Sequence, residues 1–427
     1  LIQRVLDPES GAPAALSLRF FLSAPLFALL AGAVLLWEGD AAFASRWSPA
    51  VLAATHLLTL GVLTMTICGA LLQLLPVVAG AQIERAARGA RVMHALLCIG
   101  TLLLAGAFWR SAPRLFALAL PALALALAWL LAAFGAAVWR TPPAAAAPLI
   151  AAVRMALVAL APALAAGAAM AAALAWPLPL PLPLPALTDL HAMWGLLGWV
   201  GLMVAGVAWQ VIPMFQVTPL YPPALMRTLP ILVPVLLVAC PLAQLAGHPL
   251  AAPLRAFLFG AFALFAAVTL VLLARRKRPA PDSTTLFWRL SMASLLACVP
   301  AWYAPLGASA QALLLGVLFM VGFAASAVNG MLYKIVPFLL WHHWQEHGLG
   351  RPVPGIRHVI PEARAIAHFR SHAAAVALLA LAALWPHWLL RPAALALAGS
   401  SLLLGLNLLR AVRCGRRGSP APGRPFV

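Results

Sequence analysis

The sequence predicts an all-α integral membrane protein with twelve transmembrane helices, arranged as three pseudo-symmetric four-helix repeats. Three observations carry this. Of the 427 residues, 64% are apolar and only 9% are Asp, Glu, Lys or Arg, against about 25% charged in an ordinary soluble domain. Mean hydropathy is +1.00, and apolar runs of roughly 18 residues or more, each enough to cross the hydrocarbon core, recur along the whole chain. One sequence pattern then returns three times at near-regular intervals.

Taken in order, the apolar runs predict helices near 18–37, 50–76, 91–109, 115–138, 150–175, 189–215, 229–246, 254–274, 286–304, 311–341, 372–390 and 392–412. The repeats then cover about 18–138, 150–274 and 286–412, with a cytoplasmic, histidine-rich loop at 342–371. With both termini in the cytoplasm, 22 Arg and Lys residues fall on the inner side and 5 on the outer side. That bias is expected of short loops in a bacterial inner-membrane protein. It also accounts for the net charge of +19 through lipid headgroups rather than nucleic acid. The basic run RRKR (275–278) ends a helix, and WPLPLPLPLPA (176–186) reads as a stiff polyproline spacer before helix 6. Five cysteines without CxxC spacing give no disulfide framework.

The recurring pattern is GALLQLLP (69–76), GVAWQVIP (206–213) and GMLYKIVP (330–337). Its frame is Gly, a polar residue four later, and Pro three after that: Gly69, Gln73, Pro76; Gly206, Gln210, Pro213; Gly330, Lys334, Pro337. Another glycine precedes each by eight positions: Gly61, Gly198 and Gly322. The prolines are 137 and 124 residues apart and fall on helices 2, 6 and 10. A repeat of this period fixes the architecture. Glycine and the residue four later share a helix face, and small residues let helices approach closely. The buried polar residue then needs a partner, and carbonyls freed by the proline are candidate acceptors. The bland reading is a packing notch with a repaired kink. The functional reading is that the three helices surround a pathway or cofactor. Lys334, the strongly ionisable group well inside a helix, either snorkels to the cytoplasmic interface or marks an electropositive spot.

This plan resembles the heme-copper oxidase catalytic subunit, in which helices 2, 6 and 10 line the heme-bearing arcs. THLLTLGVLTMTICGALLQLLPVVAG (55–80) and HAMWGLLGWVGLMVAGVAWQVIPMFQ (191–216) look like the oxidase-like NnrS group, which is associated with heme, copper and nitric oxide metabolism. The resemblance implies that His56, at the start of helix 2, and His191, at the start of helix 6, are cofactor-binding residues for heme b or copper. It also implies a respiratory or redox partner protein. The sequence departs from the oxidase pattern in helix 10, which carries Leu315 and Val317 where histidines would fall, and in helix 7, which has no histidine. An oxygen-reducing binuclear centre is therefore not expected.

His56 lies 20 residues before its proline and His191 lies 22 before its own. Two residues turn a regular helix by about 200°, so the two positions are not strictly equivalent. Interfacial histidines also serve as simple polar trim. Met65, Met193, Met203 and Met214, on the same helices, are either soft copper ligands or core filler. Asp189 with Thr188 reads as a helix start. His343 and His347, four apart with Glu346 adjacent, form a candidate divalent-metal pair or part of an interfacial belt with Trp341 and Trp344. His94 and His372 read as helix-start residues. None of the nine acids falls deep in a helix, which weighs against proton pumping or a proton-driven permease. Two other functions stand beside the redox reading. One is a permease for a small neutral or anionic solute lined by Gln73, Gln210 and Lys334. The other is a non-catalytic assembly subunit of a respiratory complex.

Overall fold

The computed structural model describes residues 13–84, 86–142, 147–278, 280–347 and 355–418, with the side chains of 346–347 and 414–418 outside that description. Every regular element among the described residues is helical. Twelve of these helices are long and apolar enough to cross a membrane: α1 Ala14–Ala44, α2 Pro49–Ala79, α3 Ala86–Trp109, α4 Pro113–Arg140, α5 Ala147–Ala175, α6 Leu184–Gln216, α7 Pro223–Leu245, α8 Ala251–Ala274, α9 Ser283–Tyr303, α10 Ala308–Gln345, α11 Glu362–Ala382 and α12 Pro386–Arg413. A chain with this composition satisfies its backbone polar groups in lipid by staying helical. The protein is thus a multi-span membrane protein.

Helices adjacent in sequence pack on one another, and α12 packs back on α1 to close the ring. Burial is greatest in α2, α6 and α10, whose apolar windows are 78, 72 and 61% buried against 56% or less elsewhere. These three are the inner helices, and they carry the recurring glycine–proline pattern. Their glycines act as notches. A Cβ on Gly61 or Gly69 would run into Phe27 or Phe21 of α1, one on Gly198 or Gly206 into Ala159 or Ala152 of α5, and one on Gly322 or Gly330 into Ser294 or Phe287 of α9. Each inner helix is therefore seated against the helix before it through backbone contact that only glycine permits.

Each inner helix also contains a π-helical stretch: Leu57–Thr64, Met193–Gly201 and Val317–Ala325. All three end twelve residues before the proline of their own helix. Uniformly apolar sequence hides such a change of winding, and π-helical turns concentrate at functional sites.

Two of the pattern's polar residues find a partner outside their own helix. Gln73 Nε2 donates to Ser17 Oγ of α1 at 3.1 Å, and Lys334 Nζ donates to Asp282 Oδ2 at the start of α9 at 2.7 Å. The neighbouring helix supplies the partner because the glycine notch brings it within reach.

One connection is shorter than the sequence suggests. The helix expected to end at 341 continues through 345, and the helix expected at 372–390 begins at Glu362 and ends at Ala382. The loop assigned to 342–371 therefore includes the first turns of α11. Glu362, Arg364, Arg370 and Ser371 lower the apolar signal there without interrupting the helix, and Pro386 starts α12 early.

Candidate functional site

His56 closes the first α-helical turns of α2 and His191 those of α6, each just before the π-helical stretch. The structure brings them together: the ring centroids are 6.2 Å apart and the planes 23° from parallel. His56 Nδ1 lies 2.8 Å from the Leu52 carbonyl, one turn back on its own helix. His191 Nδ1 lies 2.8 Å from the Ala163 carbonyl of α5. A carbonyl only accepts, so each Nδ1 carries the hydrogen and Nε2 is the lone-pair nitrogen of the neutral ring. Metal-binding histidines are held by this same bond. Phe108 of α3 stacks on His56 with centroids 4.9 Å apart and planes 18° from parallel. His191 occupies space vacated by Gly167, where a Cβ would sit 2.8 Å from its Cε1.

With metal–nitrogen bonds of about 2.0 Å and about 1.1 Å from nitrogen to ring centre, two imidazoles that shared one metal ion would have ring centres at most roughly 6.2 Å apart. The observed centroid separation of 6.2 Å lies at that limit. The neighbouring wall of α5, AAGAAMAAA (165–173), is mostly half-buried and bears one long side chain, Met170. Thr188, one turn before His191, donates its hydroxyl to the Leu184 carbonyl at 2.8 Å and sits 3.3 Å from Met170 Sδ. Met170 escaped sequence reasoning because nothing in an alanine run marks it; its place three residues after Gly167 was the available signal.

Asp189 is not a helix cap. It accepts from Arg46 Nη1 at 2.7 Å, tying the α1–α2 turn to α6 beside His191. Deeper in the bundle, Trp199 Nε1 of α6 donates to Thr64 Oγ1 of α2 at 3.1 Å. Below it, an apolar cavity of about 60 Å³ lies among α2, α6, α9 and α10, lined by Thr66, Met203, Trp288 and Met331 among others. Met65 is buried in the core and Met203 lines that cavity. Met193 is two residues from His191, and Met214 lies at the far end of α6.

His343 is half-buried on α10, while the His347 side chain lies outside the described residues. Among the described residues there is no group of three or more His, Cys, Asp or Glu able to hold a metal ion. His94 faces Ser23 of α1, with Nε2 and Oγ 2.8 Å apart. His372 is not a helix-start residue: it lies at the middle of α11, fully inside the bundle, together with His368. No protein-family model matches the chain, and comparison with curated proteins finds no relative.

Proposed function

We infer that the chain is an oxidase-fold membrane protein in which His56 and His191 together hold one redox metal, heme iron or copper, for electron transfer or nitric oxide handling. The observation that supports it is the imidazole pair spaced at 6.2 Å with both Nδ1 atoms held by backbone carbonyls. Neutral imidazole is a standard ligand of heme iron and suits copper equally. Such a metal, when bound, supplies one-electron chemistry. The protein residues do the rest. The Leu52 and Ala163 carbonyls set the tautomer and fix the ring angles. Phe108 stacks on one face of His56, Gly167 makes room for His191, and the Arg46–Asp189 pair anchors the start of α6. The shared glycine frame, the three π-helical stretches and their common distance from proline support three four-helix repeats around α2, α6 and α10. The excess of inner-side arginines favours a bacterial inner-membrane protein with both termini cytoplasmic and the histidine pair toward the outer face, where a redox partner protein would dock. The permease reading has less support, since Gln73 and Lys334 are engaged by Ser17 and Asp282 rather than lining an open path.

The test is a reduced-minus-oxidised absorption spectrum with elemental analysis of purified protein, wild type against His56→Ala and His191→Ala. A Soret band, or stoichiometric copper without one, that disappears in both variants is expected. Protein that folds and carries neither metal would overturn the reading and leave the assembly-subunit role.

A further inference from the structure

A second histidine pair lies within the bundle. His368 and His372 are four apart on α11, 1% and 2% exposed, with ring centroids 6.0 Å apart. His372 is satisfied. The Ser326 hydroxyl donates to the Val321 carbonyl at 3.4 Å and so accepts from His372 Nε2 at 2.9 Å. Asn329 Nδ2 faces His372 Nδ1 at 3.4 Å. His368 is not satisfied: neither ring nitrogen has a partner. An imidazole left so in a lipid-surrounded core is costly.

His368 borders a cavity of about 20 Å³, whose lining includes His372, Asn329, Ser400 and Ser401. That is room for about one water, and the wall offers the two to four polar partners a buried water needs. The polar groups continue toward the end of the bundle where α11 begins. Tyr333, with its ring 5.7 Å from that of His368, accepts from Asn407 Nδ2 at 3.0 Å, and Asn407 Nδ2 also reaches the Arg364 carbonyl at 3.4 Å. Arg364 itself is exposed. The titratable side chains facing His368 are His372 on its own helix and Tyr333 on α10. From the other packed elements come Phe287 of α9, apolar residues of α1 and α2, and the serines and leucines of α12.

We propose that His368 and His372 form a water-loaded proton-transfer site: one water fills the cavity, and a half-path runs from the Arg364 end of α11 through His368 to His372 and Ser326 at mid-bundle. In one transfer the cavity water, having taken a proton from solvent at the Arg364 end of α11, gives a proton to the bare nitrogen of His368 and is left as neutral water, while the N–H across the ring gives its proton to the Nδ1 lone pair of His372, which then holds the added proton. The His368 ring keeps its net charge, and its rotation restores the starting tautomer. No carboxylate is needed, and among the described residues none lines the cavity. The site stands independently of the metal at His56 and His191.

Two measurements on the full-length chain test this. Hydroxyl-radical labelling in heavy-oxygen water is expected to mark wild-type His368 and Tyr333 well above Phe20, an equally enclosed residue of α1. Equal labelling would mean that no water is there, and the proposal fails without any variant being made. Solvent exchange of the His372 ring N–H, followed by nitrogen NMR of labelled histidine, is expected to slow about tenfold or more in His368→Phe, because exchange then waits on rare opening of the bundle. An unchanged rate in folded His368→Phe protein would remove His368 from the path.

Discussion

The ion pair between Asp282 and Lys334 gives the sharpest test of how the inner helices are held. Asp282 precedes α9 and performs two tasks. Its Oδ1 accepts from the Thr285 amide at 2.9 Å and the Thr285 hydroxyl at 2.8 Å, capping the helix. Its Oδ2 accepts from Lys334 Nζ of α10 at 2.7 Å, and the two side chains are only 21% and 24% exposed. Burial opposes ionisation of this carboxyl, but the Lys334 hydrogen bond and charge, with the Thr285 bonds, outweigh it and hold its pKa below the usual carboxylate value. Asp282→Asn keeps a good cap and removes the charge, leaving Lys334 half-enclosed without its counter-ion. Breaking a buried pair in this way costs about 3–5 kcal/mol, and the remaining exposure lowers that to roughly 2–3 kcal/mol. Asp282→Ala forfeits the cap as well, for about 1 kcal/mol more. The double variant Asp282→Asn, Lys334→Met should recover much of the loss, because no lone charge remains.

The assay is denaturant unfolding in mixed micelles. The sign follows from the depressed pKa: the pair's stabilisation is complete above the unfolded-state value and is lost as pH falls through the folded one. The wild-type advantage over Asp282→Asn should therefore stay constant from neutral pH down to about pH 5 and close only below about pH 4. If the Asp282→Asn variant unfolds within about 0.5 kcal/mol of wild type at neutral pH, or if the gap ignores pH, the pair does not hold α9 to α10.

Two further substitutions probe the packing and the backbone. Gly206→Val places a branched side chain on Ala152 of α5 and should destabilise by about 1–3 kcal/mol, whereas Gly260→Ala, with nothing within 4 Å, should stabilise α8 by roughly 0.5–1 kcal/mol; equal effects in thermal unfolding would contradict the notch. Val217, at the end of α6, is a β-branched residue at φ 54°, so Val217→Gly should raise stability by about 1 kcal/mol by relieving left-handed strain, and a lowered unfolding midpoint would show that no strain is stored there.

Much of this fold is legible in the sequence because lipid leaves few options. Apolar runs give twelve helices, and the paired glycines single out the three that prove innermost. The π-helical stretches are invisible because their residues, such as Leu57–Thr64, are mostly apolar on every face and carry no period to read. The start of α11 is misread because the interface tolerates Glu362, Arg364 and Arg370 in a helix whose other residues continue inward. His372 is misread with it: a shift of ten residues turns a helix-start histidine into one buried at mid-bundle. Gln73 and Lys334 are identified as needing partners, but which partner depends on the helix seated in the notch, Ser17 in one case and Asp282 in the other.

The unequal offsets of His56 and His191 from their prolines, 20 and 22 residues, first count against a shared site. Under the threefold arrangement we propose, the opposite holds. Equivalent positions on threefold-related helices meet only where they point at the axis itself. Two residues that meet to one side of the axis come from different faces of their helices, and an offset of two residues, about 200° of helical rotation, supplies that difference. Met193 is the position equivalent to His56, 20 residues before Pro213. The double variant His191→Ala, Met193→His therefore moves the imidazole to the symmetric position and should abolish any metal spectrum as completely as His191→Ala alone. Recovery of the wild-type spectrum by Met193→His would show that rotation about α6 does not decide which residue meets His56, and the paired site would lose its geometric basis.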